Sequence, residues 1–437
     1  MSEEDPARRR ATARARLDEG EPREAFRVLE PLLAYPQPFE PESPDLELFL
    51  EIAAALEAEP LLEAVGRVRD KPREVDALYQ LGYELIEHDL NRFAAAVLDR
   101  ARLLAPASAR VLTEQVAALE RCLENAAAAE VLRAAPDLVE EDFLCRYLLA
   151  FNALLAGDLD EPRALLPGLL ELDDGDYAGM SARVEGMLAR GDGLAGVRPL
   201  DRDDLLGWHF VVEGGLLLHR SPEGREVMRG RYAWLQDDVA RCLEGLKKLE
   251  RLLAAAGLAP ERVFALPDTH GATLAEAAAQ AFDLPLQAWP EEGTEAPGLI
   301  VAYDLSAVGP PLRSVLEHRP GQLLFGHATC WTRDFPLAAD LTTFLYQFNT
   351  SPWDPQLVVE GEEVVSRDAR KIPLEERARQ VLRGEPGPEA LSDLPDLLAL
   401  IEVARALPEP HTAGLFRAGG QRARHWAGSP VPSSRFE

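Results

Sequence analysis

The first half of the chain repeats itself, and the length of the repeat restricts it to stacked pairs of short helices. Leu81-Gly82 is followed by Leu85, then by Ala94, Leu98 and Ala101, and Pro106 closes the unit. A step of 34 residues, from Gly82 to Val116, brings Leu119, Ala128, Leu132 and Ala135 into the same places. A second step of 34, to Ala150, brings Leu149, Ala153, Pro162, Leu166 and Leu169. Each unit spaces its apolar residues for two successive helices. A short turn parts the helices, Glu87-His88-Asp89-Leu90-Asn91 in one unit and Gly157-Asp158 in another. Upstream, Gly20, Ala25, Leu29 and Leu32 trace a further unit, one residue off register.

The unit Leu78-x2-Leu81-Gly82-x2-Leu85…Ala94-x3-Leu98-x2-Ala101…Pro106 resembles the tetratricopeptide repeat. The small Gly82 and Ala94 let two helices approach, leucines fill the seam, and Pro106 stops the second helix. Leu78 stands where that family carries an aromatic residue. Val116 and Pro162 occupy small-residue positions, so the third unit packs loosely or serves as a cap. The resemblance covers roughly residues 10–190. It implies an all-α solenoid with a concave protein-binding surface, against the plainer reading of a helical platform for the second half. Its segments are acidic and nearly free of lysine; the whole chain has only Lys71, Lys247, Lys248 and Lys371. That disfavours gripping a peptide carboxylate and favours a basic or apolar protein segment as partner. Arg8, Arg9, Arg10, Arg14 and Arg16 read as the solvated start of a helix.

With formal charge −29, the chain lacks the basic face that nucleic acid requires. No stretch of about 18 apolar residues suggests a membrane span, and the start MSEEDPARRR has no apolar leader. Four scattered cysteines, Cys122, Cys145, Cys242 and Cys330, give neither a disulfide framework nor a zinc knuckle. These features point to the reducing cytoplasm. At 437 residues several domains are expected: a helical solenoid over 1–195, a Gly/Pro/charge-rich linker over 196–205, an α/β domain over 206–370, helices over 371–410 and a flexible tail over 411–437.

Within the second half, Trp208–Val212 and Leu216–His219 flank Glu213-Gly214-Gly215 and read as a hairpin, placing His209 and His219 on strands. Residues 232–257 read as one long helix with Cys242 on its apolar face and Gly257 as its stop. Then strands and helices alternate: strand Arg262–Leu266, helix Ala272–Phe282, strand Leu286–Trp289, strand Leu299–Tyr303, helix Leu312–His318 and strand Gln322–Gly326. That rhythm means a mostly parallel, doubly wound sheet. Leu341–Phe348 suits a short helix, 357–366 a hairpin, and Leu374–Leu382 and Leu394–Leu407 helices. In such sheets ligands bind beyond the carboxyl ends of the strands. The residues there are Asp268, His270, Asp304, Gly309, His327 and Cys330. The aromatic stretch after them offers Trp331, Phe335, Tyr346 and Trp353 as partner-binding candidates.

VFALPDTHGATLAEAAAQAFDLPLQ and LIVAYDLSAVGPPLRSVL resemble the pyrophosphate and phosphoribosyl-diphosphate segments of type I phosphoribosyltransferases. That resemblance implies a ribose-binding role for Asp304 and a phosphate cradle at Gly309. Tyr303 replaces the first of two acids, however. Ala307 and Val308 replace hydroxyl residues, Pro310 and Pro311 remove amide donors, and Asp268 opposes pyrophosphate. A similar fold without the transferase activity is expected. His327 and Cys330 have no second Cys/His pair nearby, so neither a metal nor a cofactor is expected. A Cys330 nucleophile with His270 or His327 as base and Asp304 as orienter is a further arrangement. The sequence thus reads as a scaffold protein with a catalytically degenerate α/β domain. The alternative is an enzyme or sensor that binds a small phosphorylated or nucleotide-like ligand at the strand ends.

Overall fold

The computed structural model describes residues 5–172, 175, 177–222, 228–333, 336–360, 363–408, 411–422, 424 and 428–433. The chain divides into two compact units, Met1–Val184 and Glu185–Glu437.

Helices make up the described part of the first unit: α1 (Pro6–Asp18), α2 (Pro22–Leu33), α3 (Pro44–Ala55), α4 (Glu59–Asp70), α5 (Val75–Glu87), α6 (Asn91–Leu104), α7 (Ala109–Arg121), α8 (Asn125–Arg133), α9 (Pro136–Glu141), α10 (Phe143–Leu155), α11 (Asp160–Leu172) and the start of α12 (Ala178–Gly193). Prolines in the first turns of α1–α4 and α9 cost no hydrogen bond there and fix φ for helix entry. Ser43, Ser108 and Asp142 cap α3, α7 and α10 with their side chains. Five inter-helix turns share one closure. The N–H groups of Glu21, Ala58, Leu90, Glu124 and Asp158 each donate to the carbonyl five residues back, at 2.8–3.0 Å. Before each donor stands a left-handed residue: Gly20, Glu57, Asp89, Leu123 or Gly157. This is the closure with which a helix ends on a left-handed residue. Gly82 lies in the seam of α5 and α6, where a Cβ would stand 2.5 Å from Leu98 Cγ. One apolar core runs from Ala13 to Ala153, with Phe49 edge-on to both Phe26 and Phe93.

The second unit is α/β. After α13 (Leu205–Glu213) come β1 (Leu216–Leu217), β2 (Tyr232–Gln236), α14 (Val239–Ala256), β3 (Val263–Ala265), α15 (Thr269–Phe282), β4 (Leu286–Ala288), β5 (Gly298–Asp304), β6 (Gln322–Cys330) and β7 (Leu341–Thr350). Short 3-10 turns at Leu305–Ala307 and Pro310–Val315 stand where a helix over Leu312–His318 was expected. The sheet is parallel throughout, ordered β1-β7-β6-β5-β3-β4, with β2 also on β7. The hairpin β8 (Gln356–Glu360) and β9 (Glu363–Arg367) pairs antiparallel as expected, and α16 (Leu374–Leu382) and α17 (Leu394–Ala406) follow.

Three further expectations about secondary structure fail. Trp208–Val212 is helical, because Asp204 caps α13 by accepting from Gly207 N–H and Gly214 ends it left-handed; His209 therefore lies on a helix. Residues 232–236 form β2, and the long helix starts only after Asp238, which caps it. Leu341–Phe348 is strand, buried through residue 347. The segment after residue 410 is also partly packed. The Arg422 guanidinium is buried and donates to the carbonyls of Val315, Glu317 and Gln322 at 2.9–3.0 Å.

Candidate functional site

The chain runs from β3 outward to β4 and returns to β5 on the other side of β3. Such a reversal is where ligands bind in parallel sheets, and the loops after β3 and β5 carry Asp268, His270 and Asp304, with the Asp304 charge acting on Asp268. Asp268 Oδ1 accepts the N–H groups of His270 and Gly271 at 3.0 and 2.7 Å, so it caps α15. Gly271 is required by that cap, since a Cβ there would meet Asp268 Oδ2 at 2.1 Å. Burial raises the Asp268 pKa against the pull of those two amides.

Asp304 is committed locally. Its Oδ1 accepts from Ser306 N–H and Oγ at 2.9 and 2.8 Å, and its Oδ2 accepts the Tyr346 hydroxyl. Burial and Asp304 push the Tyr346 phenol far above its ordinary range. Gly309 bends the following loop at φ 72°.

His270 Nε2 lies 3.2 Å from Asp354 Oδ1 and 3.3 Å from Ser351 Oγ. Both partners meet the same ring nitrogen, and Ser351 Oγ also accepts the N–H groups of Trp353 and Asp354. A nucleophile relay needs the acid and the hydroxyl on opposite nitrogens, so this trio is not one. The His270 ring stacks on Trp353, and both rings meet Tyr303 within 5.7 Å. Among the described residues, Asp268 Oδ2, His270 Nδ1, Asn349 Oδ1 and Trp353 Nε1 are buried polar atoms with no partner.

Beside these loops, His327 projects from β6 into a buried cluster. Its Nδ1 is 3.0 Å from Thr343 Oγ1 on β7, and its Nε2 is 3.0 Å from Asp237 Oδ2. The Tyr303 hydroxyl donates to that carboxylate oxygen at 2.8 Å and accepts from Asn349 Nδ2. Arg241 holds Asp237 Oδ1 at 3.1 Å. Cys242 Sγ stands 3.6 Å from His327 Nε2 and 3.7 Å from Asp237 Oδ2. Burial opposes the Asp237 charge, yet His327, Arg241 and Tyr303 outweigh it and hold the carboxyl below its usual range. Burial and then Asp237 push the Cys242 thiol well above its usual value, which is the reverse of an activated nucleophile. Gly245 makes the cluster possible: a Cβ there would meet Thr343 Oγ1 at 2.5 Å and His327 Nδ1 at 3.2 Å.

Cys330 does not join His327. Strand β6 continues through it, and strand residues three apart point to opposite faces. Its Sγ lies 3.4 Å from Thr332 Oγ1, and no contact of the described residues links it to His270 or Asp304. The aromatic candidates are not an open patch either. Tyr346 is buried against Asp304, Trp353 is 1 % exposed, Trp331 is half-buried beneath Arg231, and Phe335 lies outside the described residues. Among the described residues of the second unit, the exposed aromatics are instead Trp234 (64 %) and Phe348 (53 %), register partners on β2 and β7.

Sequence reasoning missed Asp237, Thr343, Asn349, Ser351 and Asp354 as site residues. A signal for Asp237 existed: LQD repeats the strand-then-Asp pattern of LPD at Asp268 and AYD at Asp304. No helix of the described residues is long and apolar enough to cross a membrane. No family model matches this chain, and neither the curated proteins nor the solved structures contain a match to it.

Proposed function

We propose that this chain is a protein-interaction scaffold whose first unit is a tetratricopeptide-like solenoid and whose α/β unit is not a phosphoribosyltransferase. The recurrence of the helices carries the reading. First helices begin at Val75, Ala109 and Phe143, second helices at Asn91, Asn125 and Asp160, and the left-handed turn residues are Asp89, Leu123 and Gly157. A solenoid so built lines its concave side with the first helix of each pair. On that side would fall Tyr79, Tyr83 and Arg110, with Arg110 4.0 Å over the Tyr79 ring. The acidic, lysine-poor composition favours a basic or apolar segment there.

The loss of transferase chemistry is supported by how the acids are used. Both oxygens of Asp304 are engaged by Ser306 and Tyr346, so Asp304 is not free to hold ribose, and Asp268 spends Oδ1 on its helix cap, which leaves it only the buried Oδ2. A second reading, a small polar ligand at the carboxyl ends of β3 and β5, draws on the four unpartnered buried atoms there.

The test compares proteins co-purified with the full chain, with Tyr83→Ala/Arg110→Glu and with residues 185–437. Loss of one partner from both variants supports the scaffold; a partner set unchanged in residues 185–437 overturns it. Calorimetry with Mg²⁺ and phosphoribosyl diphosphate addresses the transferase. A dissociation constant below about 100 μM, abolished by Asp304→Ala, would replace the scaffold with an enzyme.

A further inference from the structure

We propose that Asp237, Cys242 and His327 form a buried binding site for one zinc ion. The three donor atoms come from three elements: the residue after β2, the first turn of α14 and the interior of β6. They converge at 3.0, 3.6 and 3.7 Å, and all three side chains are buried. Zinc bonds of about 2.3 Å to sulfur and about 2.0–2.2 Å to nitrogen and oxygen give tetrahedron edges of about 3.5 Å to sulfur and about 3.3 Å between nitrogen and oxygen. The triangle already has those dimensions, with only the N···O edge to open slightly.

The surroundings are those a metal centre uses to orient its ligands. Thr343 Oγ1 lies on His327 Nδ1, so an Nδ1–H donated there leaves the Nε2 lone pair facing Asp237 and Cys242. Arg241 and Tyr303 hold the two oxygens of Asp237 from outside. Gly245 lets α14 lie close enough for Cys242 to reach the imidazole.

Bound there, Zn²⁺ would have the Asp237 carboxylate and the Cys242 thiolate as its two anionic ligands, with Arg241 remaining on the other Asp237 oxygen. Binding forms three coordinate bonds and sends the thiol proton to solvent. The mixed sulfur, nitrogen and oxygen set in tetrahedral proportions suits zinc over magnesium or calcium, which take oxygen donors. The fourth position falls to water, with Tyr303 still donating to Asp237 Oδ2 from outside.

The test uses the full chain, stripped by chelator and titrated with zinc against a chromophoric competitor, then with Co²⁺. The expected result is one equivalent of zinc. The cobalt form should show the visible spectrum of a tetrahedral site and a thiolate-to-cobalt charge-transfer band. Cys242→Ala should lose the band and at least about 100-fold in affinity, with unchanged circular dichroism, while Cys330→Ala keeps both. If Cys242→Ala fails to fold, Asp237→Asn serves, keeping the shape and removing the charged ligand. Wild-type protein that takes up no zinc, zinc held equally well by whichever variant is folded, or an octahedral cobalt spectrum without the sulfur band would each overturn the site and leave a metal-free hydrogen-bonded pair.

Discussion

Gly82 shows how much a single missing methyl group does in this chain. Its place on α5 faces Leu98 on α6, and the 2.5 Å approach to Leu98 Cγ leaves no room for any side chain. Leu98 is itself fully buried, so it cannot swing into solvent. Gly82→Ala should therefore destabilise the helical unit by about 1–3 kcal/mol, although alanine is the better helix former by about 1 kcal/mol. Leu98→Ala in the same chain should recover part of the loss, and the coupling can be read from a double-mutant cycle in urea. Additive effects would show that the two helices do not meet at this residue. Glu213 illustrates a charge in the wrong place. Burial pushes its carboxyl up to about 7, although Arg424 and Arg190 draw it down. Its folded pKa thus exceeds its unfolded value. Between about pH 4.5 and 7 the native state holds a proton that the unfolded chain has lost, so this group's contribution falls as pH rises. Glu213→Gln should gain on wild type by up to about 3 kcal/mol between pH 5 and pH 8 in denaturant melts. A constant difference across that range would refute the assignment.

At the scale of elements, what could be read from sequence depended on repetition and on one-sided burial. The α5–α11 pairs were legible because a 34-residue pattern is sampled three times, from Gly82 to Val116 to Ala150. Strand β7 was not, because its first seven residues are buried and its apolar residues do not alternate with exposed ones; its β-branched Thr342-Thr343 and aromatic Phe344 and Tyr346 were the better guide. Helix α13 reads as a strand for the same reason. A short apolar run has no period, and only the Asp204 and Gly214 caps identify it. Strand-end acids after β3 and β5 were recoverable from local sequence. The Asp237–His327 and Cys242–His327 contacts span 90 and 85 residues and depend on the order of strands in the sheet. Helix α14 carries a further feature that periodicity hides. Lys248 is 1 % exposed, and its Nζ reaches Leu218 O at 2.7 Å, Glu244 at 2.8 Å and Asp393 Oδ2 at 3.0 Å. This one ammonium joins α14 to the end of β1 and to the start of α17. Lys248→Ala would leave two carboxylates and a carbonyl facing an empty space, at a cost of about 3–5 kcal/mol. A urea midpoint within experimental error of wild type would mean that water reaches the site and replaces the ammonium.

For the molecule as a whole, the division after Val184 makes a sharper claim than the composition break near residues 196–205, because it follows the packing. The first unit has a core of its own. Apolar residues from Ala13 on α1 to Ala153 on α10 form one buried cluster, and the aromatic rings of Phe26, Phe39, Phe49 and Phe93 meet inside it. Its helix ends are closed by its own caps and turns rather than by a distant segment. A fragment of residues 1–184 should therefore fold alone, with a helical circular dichroism spectrum and backbone amides of α5, α6 and α7 the slowest to exchange. Because helix pairs in such a stack contact mainly their neighbours, terminal pairs should exchange sooner than the centre. Its denaturant slope should also fall below that of a single-core domain of equal length. Truncating the fragment after Leu155 removes α11 and bares the face of α10 that it covers. That should weaken α10 and α8 first and leave α1–α4 protected. A fragment without helical ellipticity, or one in which every amide is lost together on truncation, would show that the first unit is not built from successive helix pairs.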